Sequence, residues 1–146
     1  MKKTYTPPTK EQSLASLKAW EEAENRANTS DWDKYEELEA MEAEAKRLRK
    51  AIIPHIGMHC TMFYYSDSRA STVVDILSDT KIVCRHNQTK CLDFYAGNYE
   101  ILPELEGGEY VFTKRKNGVW CLEGQPSRDG VILSLTCWHH YIDPEF

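Results

Sequence analysis

Four arginines in the second half of the chain stand beside turns: Arg69 after Ser66-Asp67-Ser68, Arg85 closing Lys81-Ile82-Val83-Cys84, Arg115 before Asn117-Gly118, and Arg128 within Gln125-Pro126-Ser127-Arg128-Asp129-Gly130. A guanidinium offers a planar fork of donors that matches phosphate or carboxylate, and a tight turn exposes backbone N–H groups to the same anion. Phe94, Tyr95 and Tyr99 supply aromatic platforms nearby, with Asn98 among them. A base stacked on such a ring gains roughly 1–3 kcal/mol. Arginine for phosphate and aromatic ring for base make a nucleotide pocket. The plainer reading of each arginine is a surface charge or a strand-end salt bridge.

Catalytic and metal chemistry find less support. His55 and His59 lie four apart beside Cys60, a metal-ligand spacing on a helix, but Pro54 and Gly57 argue against a helix there. His139 and His140 on a strand would point to opposite faces, so at most one could serve a site. No serine or cysteine stands in a nucleophile elbow. Ala96-Gly97-Asn98 and Glu106-Gly107-Gly108-Glu109 lack phosphate-loop spacing. The expectation is a binding protein, with no catalytic residue, metal ligand or cofactor.

Composition sets the bounds. A chain of 146 residues with formal charge −5 has room for one core and an appendage, and is too acidic for broad attachment to duplex nucleic acid or anionic lipid. No apolar run reaches membrane length, and Met1-Lys2-Lys3 is followed by no apolar stretch of a secretory signal. A cytoplasmic protein is expected. The five cysteines, Cys60, Cys84, Cys91, Cys121 and Cys137, are odd in number and contain no C-x-x-C, so four or five of them read as small hydrophobes.

The chain changes character near Pro54. Glycine is absent before it, where Glu, Ala, Lys and Leu dominate, and all 7 glycines follow it. Residues 1–54 are expected to form a helical hairpin and 55–146 an antiparallel β-sheet or small barrel, an α+β fold. Thr9 and Gln12 make a capping box for a first helix to about Ala27, with Leu14, Leu17, Trp20 and Ala23 as its apolar stripe. A second helix should start at Ser30 or Asp31 and run to about Ile52, acids first and bases last, in accord with the helix dipole. Its Leu38, Met41, Ala45, Leu48 and Ile52 are spaced three, four, three, four, the seam of an antiparallel hairpin or coiled coil. Two helices alone bury too little, so they are expected to self-associate, with Trp20, Trp32 and Tyr35 as anchors, or to cover one sheet face.

Behind Pro54, strands are expected over Ile56–Tyr65, Thr72–Leu77, Lys81–Arg85, Tyr99–Leu102, Glu109–Lys116, Val119–Leu122, Val131–Leu135 and Cys137–Tyr141. Ser78-Asp79-Thr80 should turn one hairpin. Asn117-Gly118 should turn another as a type I′ turn, which needs two positive φ angles.

Ser66-Asp67-x-Arg69 with Thr72-Val73-Val74, then Arg115-Lys116-Asn117-Gly118-x-Trp120, then Tyr141-x-Asp143-x-x-Phe146 resemble small proteins encoded by phages and prophages. With a helical pair in front, the chain is similar to the phage Thoeris anti-defence sponge family over about Ile56 to Phe146. The resemblance implies a protein of the infected host's cytoplasm that binds the cyclic ADP-ribose isomer made by bacterial TIR-domain defence enzymes and does not cleave it. It also implies homo-oligomers with pockets between β domains. Two other classes stay open. A direct protein-contact inhibitor of anti-CRISPR type would use the acidic helix, and an enzyme cleaving a cyclic nucleotide would need a general acid and base from His139, His140 or a glutamate.

Overall fold

The computed structural model describes residues 5–29 and 35–144, with Tyr35 by its backbone alone. They divide into residues 8–53, and the residues from Pro54 onward together with the stretch up to Pro7. Residues 5–7, expected with the helical hairpin, group with the β unit, where the Tyr5 hydroxyl donates to an Asp79 carboxylate oxygen at 2.8 Å.

In the helical unit, α1 is Lys10–Asn28 and α2 is Tyr35–Lys50. The expected capping box is present: the Thr9 hydroxyl accepts from the Gln12 N–H at 3.2 Å and the Gln12 side chain accepts from the Thr9 N–H at 2.9 Å. The N-cap expected at Ser30 or Asp31, the Trp32 anchor and the Tyr35 side chain lie outside the described residues, and Trp20 is half-buried. The expected seam is the covered one, with Ala45 buried and Leu38, Met41 and Leu48 half-buried on α2 and Ile52 buried just past the helix, which ends at Lys50. On α1 the expected stripe holds at Leu17 and Trp20, half-buried, and at Ala23, buried, and fails at Leu14. Leu14 is 47% exposed, and Ser13, Ala23 and Ala27 are buried, with Ser16 and Trp20 half-buried between them. Small side chains let the α2 seam approach closely. The Ser16 hydroxyl ties the hairpin's end, donating to the Ser13 carbonyl at 2.6 Å and accepting from the Ile53 N–H at 2.9 Å. A groove of about 180 Å³ between the helices is lined by Ala23, Arg26, Ala40, Met41 and Glu44.

In the β unit, β1 (His59–Phe63), β2 (Ser68–Ser78), β3 (Lys81–Asp93), β4 (Asn98–Lys114), β5 (Trp120–Leu122) and β6 (Ile132–Ser134) pair antiparallel in chain order. Pairing of β1 with β6 closes the ring. Its interior holds Cys60, Met62, Val73, Ile82, Cys84 and Phe112, all fully buried. Beyond the last β2–β3 pair, Ser71 with His86, β3 and β4 continue as a two-stranded arm whose tip is Phe94 to Gly97.

The strands correct four expectations. Arg69 lies in β2, not in a loop, and Arg85 lies inside β3, not at its end. Tyr99–Leu102 and Glu109–Lys116 belong to one strand, β4, ending at Lys114. Pro103 and Gly107-Gly108, which lie between the two expected strands, each sit where β4 bulges past β3 and a β3 side chain closes the gap. The Arg85 guanidinium donates to the Gly107 carbonyl at 3.0 and 3.2 Å, and the Asn87 amide donates to the Leu102 carbonyl at 3.0 Å. Cys137–Tyr141 is no strand; it reaches β2 through a single bridge, Tyr141 with Ser68.

The Asp79-Thr80 turn joins β2 and β3 as expected. The Asn117-Gly118 turn is of another type: no non-glycine residue has positive φ among the described residues, while Gly118 has φ 82°. The Gly118 N–H donates to the Arg115 carbonyl and the Arg115 N–H to the Val119 carbonyl, both at 2.9 Å. That is a three-residue loop, a type I turn followed by a glycine bulge.

Candidate functional site

Residues directly opposite in the ladder share a face. The pairs Cys60 with Ser71, Met62 with Arg69, Ser71 with His86 and Val73 with Cys84 therefore place Arg69, Ser71 and His86 on the ring's interior face. Arg69 stands at the mouth, its guanidinium carbon 5.8 Å from the centre of the Tyr64 ring. His86, deeper, is only 7% exposed and shares a 3.2 Å hydrogen bond between Nδ1 and the Ser71 hydroxyl. Burial, then the nearby Arg69 cation and His140, push His86 down to about 4. His140 is also lowered, first by burial and then by Arg69 and His139, against weaker opposing pulls from Glu106 and Asp67. The mouth thus presents one permanent cation beside two imidazoles held neutral. Burial also raises the Tyr64 phenol, Tyr110 raises it further, and Arg69 opposes the shift.

A strap, residues 137–144, crosses this end of the ring. The Thr61 hydroxyl donates to the Cys137 carbonyl at 2.9 Å and accepts from the His139 N–H at 3.0 Å, and Trp138 stacks on His59 at 3.8 Å. Ser68 and Tyr141 exchange two backbone hydrogen bonds of 2.8 Å, and the Ser68 hydroxyl shares a 2.7 Å bond with His139 Nδ1. The Asp143 N–H donates to an Asp67 carboxylate oxygen at 2.9 Å. Tyr141 fills the space that glycine leaves at Gly97 of the arm, where a Cβ would lie 2.5 Å from the ring. His140, on the opposite side of the strap from His139, meets Tyr99 edge-on with ring centres 4.8 Å apart.

Of the expected residues, Arg69 and Tyr99 lie at this end: Tyr99 meets His140 edge-on, and the Arg69 cation is near enough to help lower His140. Phe94 and Tyr95 contact each other edge-on at the arm tip, Tyr95 85% exposed, with Asn98 exposed beside them. Three arginines lie elsewhere. Arg85 is committed to the β4 bulge. Arg115 sits at the opposite end of the ring, donating to the Thr113 hydroxyl at 2.9 Å and to the carbonyls of Leu122 and Gln125 at 3.2 and 2.6 Å. Arg128 is exposed in the loop between β5 and β6. His86, Ser71 and Tyr64 were absent from the candidates. The signal for His86 was period-two alternation, which reaches it once β3 is carried past Arg85.

Three of the cysteines, Cys60, Cys84 and Cys121, are buried, Cys137 is half-buried and Cys91 is exposed. Cys60 and Cys84 have their sulfurs 3.9 Å apart, and that contact, with burial, holds the Cys60 thiol well above its ordinary range. It packs as a small hydrophobe. Among the described residues no three His, Cys, Asp or Glu side chains converge as a metal cluster, and no helix is long and apolar enough to cross a membrane. Neither protein-family models, nor curated proteins, nor solved structures give a match to this chain.

Proposed function

We propose that this protein binds a small nucleotide at the Arg69 mouth and sequesters it without cleaving it. The observation that carries the reading is the Arg69 guanidinium at a ring mouth lined by Tyr64, His86, His140 and Tyr99. A single guanidinium among neutral, aromatic side chains suits a phosphate attached to a ring system. The ligand's identity as a cyclic ADP-ribose isomer and the role in phage anti-defence within the bacterial cytoplasm rest on the sequence resemblance; a cyclic oligonucleotide is the alternative ligand of the same phosphate-and-base chemistry. Self-association through the helical unit belongs to the same proposal, supported by exposed Leu14 and the groove beside Met41.

A thermal-shift series with cyclic ADP-ribose isomers, cyclic di- and trinucleotides and linear ADP-ribose tests it. A true ligand stabilises the fold by ~2.7 kcal/mol at a hundredfold excess over Kd. Arg69→Ala should weaken binding by about 1.5–3 kcal/mol, and Arg69→Lys should not restore it, since lysine lacks the fork. Ligand recovered after denaturation should be chemically intact; a cleaved product would make the protein an enzyme. Light scattering of the same samples should give an even oligomer.

One observation favours a second reading. Glu36, Glu37, Glu39 and Glu42 are all exposed on α2, the acidic surface that a direct protein-contact inhibitor would present. If no nucleotide raises the melting temperature, that reading replaces the first.

A further inference from the structure

Three buried side-chain nitrogens lack a hydrogen-bond partner among the described residues: Trp20 Nε1, Trp138 Nε1 and His140 Nδ1. Two of them belong to the strap. A buried polar atom without a partner forfeits hydrogen bonding that water would otherwise supply, so each such atom calls for a reason. For His140 the surroundings provide one. The strap is anchored through Thr61, Ser68, Asp67 and Gly97, and none of those links uses the His140 ring nitrogens.

We infer that His140 is a specificity-determining contact of the nucleotide site, its Nδ1 kept for the ligand, whose anionic group lies between His140 and Arg69. This rests on the nucleotide reading above and deepens it. Nδ1 is covered in this structure, so the ligand reaches it when the strap lifts from the mouth. Lifting the strap breaks the six hydrogen bonds described above, two of them the single Ser68–Tyr141 bridge, with the Trp138–His59 stack and the Tyr141 seat at Gly97, but no continuous strand ladder. Steering comes from the edge-on contact with Tyr99, which fixes the imidazole's plane on the arm side.

The charged and titratable groups facing His140 give the inference a measurable consequence. They are Arg69 on β2, His86 on β3, Glu106 and Tyr99 on β4, Asp67 in the turn before β2, and His139 on the strap itself. In the free protein burial first, and then Arg69 and His139, disfavour an imidazolium. An anion bound against Arg69 cancels that repulsion and adds its own attraction, so the complex holds a proton on His140 that the free protein does not. Binding then takes up a proton, and affinity rises as pH falls.

The experiment uses the full chain with a cyclic ADP-ribose isomer as probe. Calorimetry at about pH 8 and about pH 6 in buffers of different ionisation enthalpy should show proton uptake and roughly fivefold tighter binding at the lower pH. Histidine NMR, with the His140 resonance identified by its loss in His140→Gln, should show its titration moving upward in the complex. His140→Gln should bind more weakly and lose the pH dependence, whereas His139→Gln should keep it. His86, held near 4, stays silent across this window. Wild-type binding without proton uptake, or an unchanged pH dependence in His140→Gln, overturns the inference and leaves the nucleotide reading standing. Absence of binding to wild type by this probe and by every other nucleotide of the thermal-shift series overturns both.

Discussion

The two ends of the ring each hold an arginine beside a turn, and they use it in opposite ways. Arg115 spends its donors on the Thr113 hydroxyl and on the carbonyls of Leu122 and Gln125, so it staples β4 to the loop after β5. Arg69 faces a tyrosine ring at a mouth that also holds buried His86 and half-buried His140 and is crossed by an irregular strap carrying two unpartnered nitrogens. Residue type and nearness to a turn were the same at both ends. What separates a structural arginine from a recognition arginine is whether backbone carbonyls already occupy its fork. A staple contributes to stability, while a guanidinium left facing neutral rings is available to an anion.

The largest effect that would sharpen this contrast is steric. Gly97 has φ 67° and lodges Tyr141 of the strap, whereas Gly124, at the Arg115 end, has φ 85° and no atom within 4 Å of where a Cβ would stand. Alanine in the left-handed region costs roughly 1–2 kcal/mol by itself. Gly124→Ala should therefore lose about 1 kcal/mol, and Gly97→Ala, which must also expel the Tyr141 ring, about 3 kcal/mol in urea unfolding. Equal losses would mean that the strap is not seated on the arm.

Acid comes next and acts at the Arg69 end. His86 titrates at about 4 in the folded chain against 6.5 unfolded, so between those values the unfolded chain binds the extra proton. Its contribution is complete above pH 6.5 and declines as pH falls toward 4. Stability should drop by about 2 kcal/mol between pH 7.5 and pH 5, and His86→Gln should remove most of that drop. A drop that persists in the variant would place the acid sensitivity elsewhere.

Arg115→Ala is the smallest change and the most direct. It should cost about 1–2 kcal/mol of stability through its lost hydrogen bonds while nucleotide affinity stays at the wild-type level. Weakened affinity would erase the distinction between the ends.

The amino-acid sequence by itself determined what depends on near neighbours. The Thr9–Gln12 box, the α2 seam from Leu38 to Ile52, the α+β division near Pro54 and the Asp79-Thr80 turn all follow from contacts within a few residues, and all are present. Tertiary structure decided the rest. Ser13 rather than Leu14 is buried on α1 because small side chains suit the partner helix, a fact of the pair and not of either helix alone. Gly107-Gly108 and Pro103 do not break β4 because Arg85 and Asn87, some fifteen to twenty-two positions away in sequence, satisfy the bulged carbonyls. Arg69, His86, Tyr99 and His140 meet only once the ring closes and the strap returns across it. Local propensity is set by adjacent residues, but a mouth is assembled from strands that pair across the whole chain, and pairing partners leave no mark on the spacing of any one strand.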